Sequence, residues 1–172
     1  MDQAAVSKEI SRSDLLNMYQ YLRLTRSLED RITALYRQGR IVGGVYTSHG
    51  MEAIAVGYAS ALQPDDVIAP FHRDMGAFLI RGFTPGEILA QYLGKRTGPT
   101  KGKDGNVHMG DLKRGMIGFV SHLADNLPVA AGACQTAAAQ TDGGLRLVSL
   151  PTRVFKVADL PREGTEAWFV NV

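Results

Sequence analysis

Cysteine is nearly absent from this 172-residue chain. Cys134 stands alone, which excludes an internal disulfide and a cysteine-based zinc site and fits a reducing compartment. No apolar run approaches the ~20 residues of a membrane-spanning helix, so no membrane role is expected. Charge of one sign is missing as well. With 19 basic and 17 acidic residues the formal net charge is +2, too small to argue for nucleic acid, and no aromatic residues interleave with lysines. The segment Met1 to Ser13 is polar and of mixed charge, unlike a signal or transit peptide, and a cytoplasmic location is expected.

What is present is the composition of a folded protein: 45% hydrophobic and 21% charged, at a length that suits one domain with a substantial core. Ser11 and Asp14 have the spacing of a capping box, with Ser13 as a competing cap. From Asp14, Leu15, Met18, Leu22, Leu28, Ile32 and Leu35 recur with a helical period, weak only near Thr25, until Gly39. Arg23, Arg26, Glu29, Asp30 and Arg37 are expected on the polar surface of this long helix. Gly50 to Leu62 reads as a second helix with small residues on most faces, expected to be buried. Val67 to Phe71 reads as a strand, Met75 to Ile80 as a short helix stopped by Gly82, and Thr84-Pro85-Gly86-Glu87 as a strong helix start running to about Leu93. Lys95 to Asn126 shows no regular pattern, and a solvated glycine-rich loop is the expectation for its first part. Pro128 opens an alanine-rich helix to about Gln140. Beyond the Thr141-Asp142-Gly143-Gly144 turn, residues 145–150 and 153–157 read as short strands that could pair, and Trp168-Phe169-Val170 as an apolar end.

Several site patterns fail. Gly98 and the Gly102-Lys103 pair are separated by three residues rather than four, and Asp104 follows, so this is no triphosphate-binding loop. His49, His72, His108 and His122 lie far apart without a metal-ligand signature, and Cys134 sits in an alanine-rich helix where a buried thiol is the ordinary explanation. Two stretches remain. Arg73 follows the Val67–Phe71 strand, where an open α/β sheet presents a ligand and a guanidinium can hold an anion; the same residues also fit a solvated arginine paired with Asp74. Ser121 to Pro128 marks a helix amino terminus, where free amides favour an anion or a polar ring edge beside Leu123; an ordinary capped helix fits equally.

Certain motifs occur in a telling order. They are Gln38-Gly39-Arg40-Ile41, Gly50-Met51-Glu52-Ala53 with Val56-Gly57, His72-Arg73, and Arg81-Gly82. Gly102-Lys103 with Val107-His108-Met109 follows, and then Ser121-His122-Leu123 leading to Leu127-Pro128-Val129-Ala130-Ala131-Gly132. In this order and spacing the chain resembles the alpha subunit of thiamine-diphosphate-dependent 2-oxo acid dehydrogenases, of the pyruvate, branched-chain 2-oxo acid and acetoin type. The likeness covers about residues 13 to 133.

The resemblance implies an α/β fold: an incomplete thiamine-diphosphate-binding fold of the parallel-sheet type with a long amino-terminal helix. It divides the chain into a polar arm (1–12), a partial cofactor-binding domain (13–140) and a divergent tail (141–172). The implied activity is oxidative decarboxylation of a 2-oxo acid, with the acyl group passed to a lipoyl arm. The implied cofactor-binding residues are His72 and Arg73 at the diphosphate, where the family usually has Tyr-Arg, and Ser121 and Leu123 against the aminopyrimidine ring. The implied partners are the beta subunit, which supplies the activating glutamate, and the lipoyl-bearing acyltransferase; no catalytic residue is implied here. Complete members bind magnesium through a Gly-Asp-Gly and a later asparagine, and no such motif follows Ala133. Loss of likeness from one point onward is what a shifted reading frame or a truncation leaves. The expectation is therefore a chain inactive alone, the alternative being a non-catalytic remnant or partner-binding protein.

Overall fold

A computed structural model describes residues 10–119, 122, 125–140, 147–149, 154–156 and 168–170. Helix α1 spans Arg12–Arg37. The Ser11 side chain accepts from the Asp14 amide while Asp14 reaches back to the Ser11 amide, so the expected capping box forms. Only the second half of α1 is buried, through Thr25, Leu28, Glu29, Ile32 and Leu35. Leu15 and Leu16, on the expected apolar stripe and beside it, remain 53% and 59% exposed. At the weak turn near Thr25 the helices lie close together. A Cβ added to Gly76 would lie 2.8 Å from Val56 Cγ2 and 3.4 Å from Thr25 Oγ1.

Helix α2 (Glu52–Ala61) packs on α1 and on α3. It buries Glu52, Ala55, Val56 and Ala59 and leaves Ile54 41% exposed, so it is covered on one face rather than on most. Small residues permit close approach, but they do not supply a neighbour on every side. Strand β1 is Val67–Ile68, shorter than the five residues expected. Pro70 lacks the N–H a ladder needs. Helix α3 (Met75–Ile80) has the predicted bounds, with Phe78 at its centre fully buried. In α4 (Pro85–Tyr92), Thr84 and Glu87 form the predicted capping box.

Residues 95–119 are irregular as expected, apart from one 3-10 turn at Leu112–Arg114, but they are not merely solvated. Val107, Met109 and Met116 are at most 1% exposed and complete the core built by α1, α3 and α4. Gly115 explains how the segment lies so close to β1. Ile68 N–H donates to the Gly115 carbonyl, and Ile117 N–H donates back to Ile68. Gly115 has φ +67°, and a Cβ there would fall 2.5 Å from the Asp66 carbonyl oxygen.

Helix α5 (Asn126–Gln140) carries Pro128 in its first turn. Strands β2 (Leu147–Ser149), β3 (Val154–Lys156) and β4 (Trp168–Val170) are in the sheet order β1-β2-β4-β3. The expected pairing of the 145–150 and 153–157 runs does not form. Instead β2 runs parallel to β1 and β4, and β3 pairs antiparallel with β4. Apolar runs of similar length do not encode which lies centrally. The class is α/β, with helix predominant. No helix among the described residues is long and apolar enough to cross a membrane.

Candidate functional site

Three irregular segments meet at the end of β1 and enclose a cleft of about 640 Å³. One wall is the Val42–Tyr46 strap between α1 and α2, another is His72 and Arg73 beyond β1, and the third runs from Asp104 to Phe119. The strap is anchored by Glu29, expected on the solvent face of α1 but only 1% exposed. Its two carboxylate oxygens each accept the Ser48 amide at 2.9 Å, and the Ser48 hydroxyl donates at 2.9 Å. Burial pushes the Glu29 carboxyl up from its usual range, opposed by these bonds and by His49. Next to it the Arg26 guanidinium pairs with Glu52 at the start of α2.

The β1 end is shaped from both sides. Arg81 donates to the carbonyls of Gln63, Pro64 and Asp66, holding the turn that feeds β1. Asp74 Oδ2 accepts the Phe71 amide at 2.7 Å and closes the turn that carries His72 and Arg73. Burial pushes the Asp74 carboxyl up to about 7. The alternative of an Arg73–Asp74 pair is therefore not what forms: among the described residues no ion pair includes Arg73, and its buried Nε has no hydrogen-bond partner. The His72 ring packs 3.9 Å from Phe71 and edge-on to Tyr46 at 5.1 Å. Burial, with Arg73 beside it, lowers its pKa to about 4. At neutral pH His72 is an uncharged aromatic wall, and Arg73 is the cation.

The third wall depends on Gln91 in α4, which is 1% exposed. Its Oε1 accepts from the Thr100 amide and hydroxyl at 3.1 and 2.8 Å, and its Nε2 donates to the carbonyls of Asp104 and His108 at 3.2 and 3.4 Å. His108 Nδ1 lies 3.1 Å from Asp104 Oδ1, and the His108 ring packs 5.2 Å from Phe119. His72 also faces Phe119, at 6.1 Å. Two of the four dispersed histidines thus share one cleft. His49 instead lies 3.3 Å from Asp30, and His122 lies 3.7 Å from Asp125.

Ser121 and Leu123 lie outside the described residues. Their neighbour in the chain, Asn126, is placed: its Nδ2 donates to the Pro70 carbonyl at 3.0 Å, tying the start of α5 to the turn that carries His72 and Arg73. No motif in the sequence marks Tyr46, Asn106 or Phe119. The only local signals were the glycines flanking them, Gly44, Gly105 and Gly118.

A sequence model of the dehydrogenase E1 component family matches residues 20–150. The chain belongs to that family. The match runs past Ala133, where the motif likeness stops, and takes in β2. Among curated relatives of this family member, the alpha subunit of acetoin:2,6-dichlorophenolindophenol oxidoreductase from Bacillus subtilis (strain 168) is 34% identical over 128 residues. That alignment covers 74% of this chain and 38% of the relative. The mitochondrial pyruvate dehydrogenase E1 component subunit alpha of Kluyveromyces lactis is 33% identical over 132 residues, covering 77% and 32%. The chloroplastic subunit alpha-3 of the same enzyme from Oryza sativa subsp. japonica is 29% identical over 130 residues, covering 76% and 31%. The chain thus spans between 31% and 38% of these relatives' length.

Proposed function

We propose that this E1 family chain is an alpha-subunit-like component of a 2-oxo acid dehydrogenase, and that its cleft takes the diphosphate end of thiamine diphosphate. The observation that carries the reading is the Arg73 guanidinium, which lines the cleft with a buried, unpartnered Nε–H beside an uncharged His72. A buried donor left without an acceptor is costly, and a bound anion removes that cost through charge-assisted bonds. The His72, Tyr46 and Phe119 rings give a planar ligand an apolar wall. Ser121 and Leu123 are proposed to flank the ring at the start of α5, whose first residue is fixed to Pro70. When bound, the thiazolium group supplies the electron sink for decarboxylation. This chain's own residues bind the anion, orient the ring and line the cleft. No set of three or more metal-ligating side chains converges among the described residues, and no magnesium role is assigned to them.

The same reading makes the β1-β2-β4 ladder part of a parallel sheet and makes a beta subunit and a lipoyl-bearing acyltransferase the partners, in an assembly of two alpha and two beta subunits. The single cysteine is compatible with a cytoplasmic site. Titration of the full chain with thiamine diphosphate and magnesium by calorimetry tests the cleft. Saturable binding that thiamine diphosphate competes for with pyrophosphate supports it. Absence of heat at millimolar ligand removes it.

A further inference from the structure

Arg73 Nε is not the only group left over at the cleft. Asn106 lines the same cleft, and its buried Oδ1 has no hydrogen-bond partner. Asn106 also sits at φ +55°, a left-handed conformation disfavoured for L-residues and tolerated best by asparagine and aspartate. Its placement is not slack. Gln91 holds the carbonyls of Asp104 and His108, two residues to either side, and Val107 next to it is fully buried in the core. The fold therefore holds Asn106 in a strained conformation, with an acceptor that has no partner among the described residues, at a cleft where Arg73 Nε has none either.

We propose that Asn106 is a ligand-binding residue: its Oδ1 accepts a hydrogen bond from an N–H group on the molecule whose anionic end Arg73 holds. This rests on the proposed reading of the cleft and adds the chemistry of a second wall. An amide oxygen repels phosphate oxygens, so it serves the uncharged, donor-bearing part of the ligand. The ligand class is an anion joined to an amine-bearing ring, and in thiamine diphosphate that ring is the aminopyrimidine. Asn106 thereby distinguishes the whole molecule from a bare diphosphate.

The test is calorimetry on the full chain with thiamine diphosphate and, separately, inorganic pyrophosphate, each with magnesium. Asn106→Gly is the variant of choice, because glycine is at ease at φ +55° and the amide is removed without backbone strain. Losing one neutral hydrogen bond is expected to weaken thiamine diphosphate about fivefold, with pyrophosphate unchanged. Unchanged pyrophosphate binding also shows that the variant cleft is intact. Undiminished affinity for thiamine diphosphate overturns the assignment of Asn106 and leaves the reading of the cleft in place. Equal weakening of both ligands overturns it too, since the amide then serves the anion. A wild-type chain that binds neither ligand overturns the reading of the cleft and the role of Asn106 with it.

Discussion

The carboxylate of Asp74 accepts the amide of Phe71 at 2.7 Å rather than pairing with Arg73, its neighbour in the chain. One bond thus closes the turn at the end of β1, and among the described residues no ion pair includes the Arg73 guanidinium. An acid placed next to an arginine reads as its partner, yet here the acid works on the backbone and the base faces a cleft.

Asp74 gives the first prediction. Burial raises its folded pKa from 3.8 to about 7, so the unfolded chain binds fewer protons than the folded one across that range. Stability from this group is full below the unfolded value, falls as pH rises from about 4 to 7, and stays low above. Asp74→Asn keeps an acceptor for Phe71 and removes the buried charge. Its advantage over wild type is expected to be near zero at pH 4 and roughly 2–4 kcal/mol at pH 8. Thermal unfolding at both pH values checks this, and an advantage independent of pH contradicts it.

Arg73 gives the second. Arg73→Ala should weaken thiamine diphosphate by about tenfold or more, the usual loss for charge-assisted hydrogen bonds. Arg73→Lys should recover only part, because an ammonium lacks the planar fork. Calorimetric affinities of both variants decide, and an unchanged Arg73→Ala affinity takes this residue out of the site.

Gln91→Leu keeps much of the volume but strips partners from the Thr100 amide and hydroxyl and from two carbonyls. A loss of about 2–3 kcal/mol is expected from the unpaired buried groups. Proteolysis in the 95–103 loop, where Lys95, Arg96, Lys101 and Lys103 are exposed, should quicken as well. Equal urea midpoints and equal trypsin rates would show that the loop does not depend on this side chain.

Gly115→Ala should be severe, by about 2 kcal/mol or more, through two independent strains: a positive φ and a methyl 2.5 Å from the Asp66 carbonyl. Chemical denaturation reads the change. A midpoint within error of wild type would mean that the β1 contact relaxes freely.

Local chemistry was enough for the starts of α1 and α4. A cap and its reciprocal partner lie within four residues of each other, so Ser11 with Asp14 and Thr84 with Glu87 could be read as helix starts without any knowledge of the fold. The sequence by itself also marked Arg73 as a residue beyond a strand and, through ordered motifs, the family to which the chain belongs. It could not say that Glu29 leaves the polar face of α1 to clamp Ser48, nor that β4 enters the sheet between β2 and β3. It could not say that Gln91 organises a loop with no pattern of its own, or that Arg73 Nε and Asn106 Oδ1, in residues lining one cleft, both lack a hydrogen-bond partner among the described residues. Each of those facts depends on which distant groups arrive first at a donor or acceptor. That competition is settled by packing in three dimensions, because a hydrogen bond is satisfied by the nearest partner in space and not by the nearest in the chain.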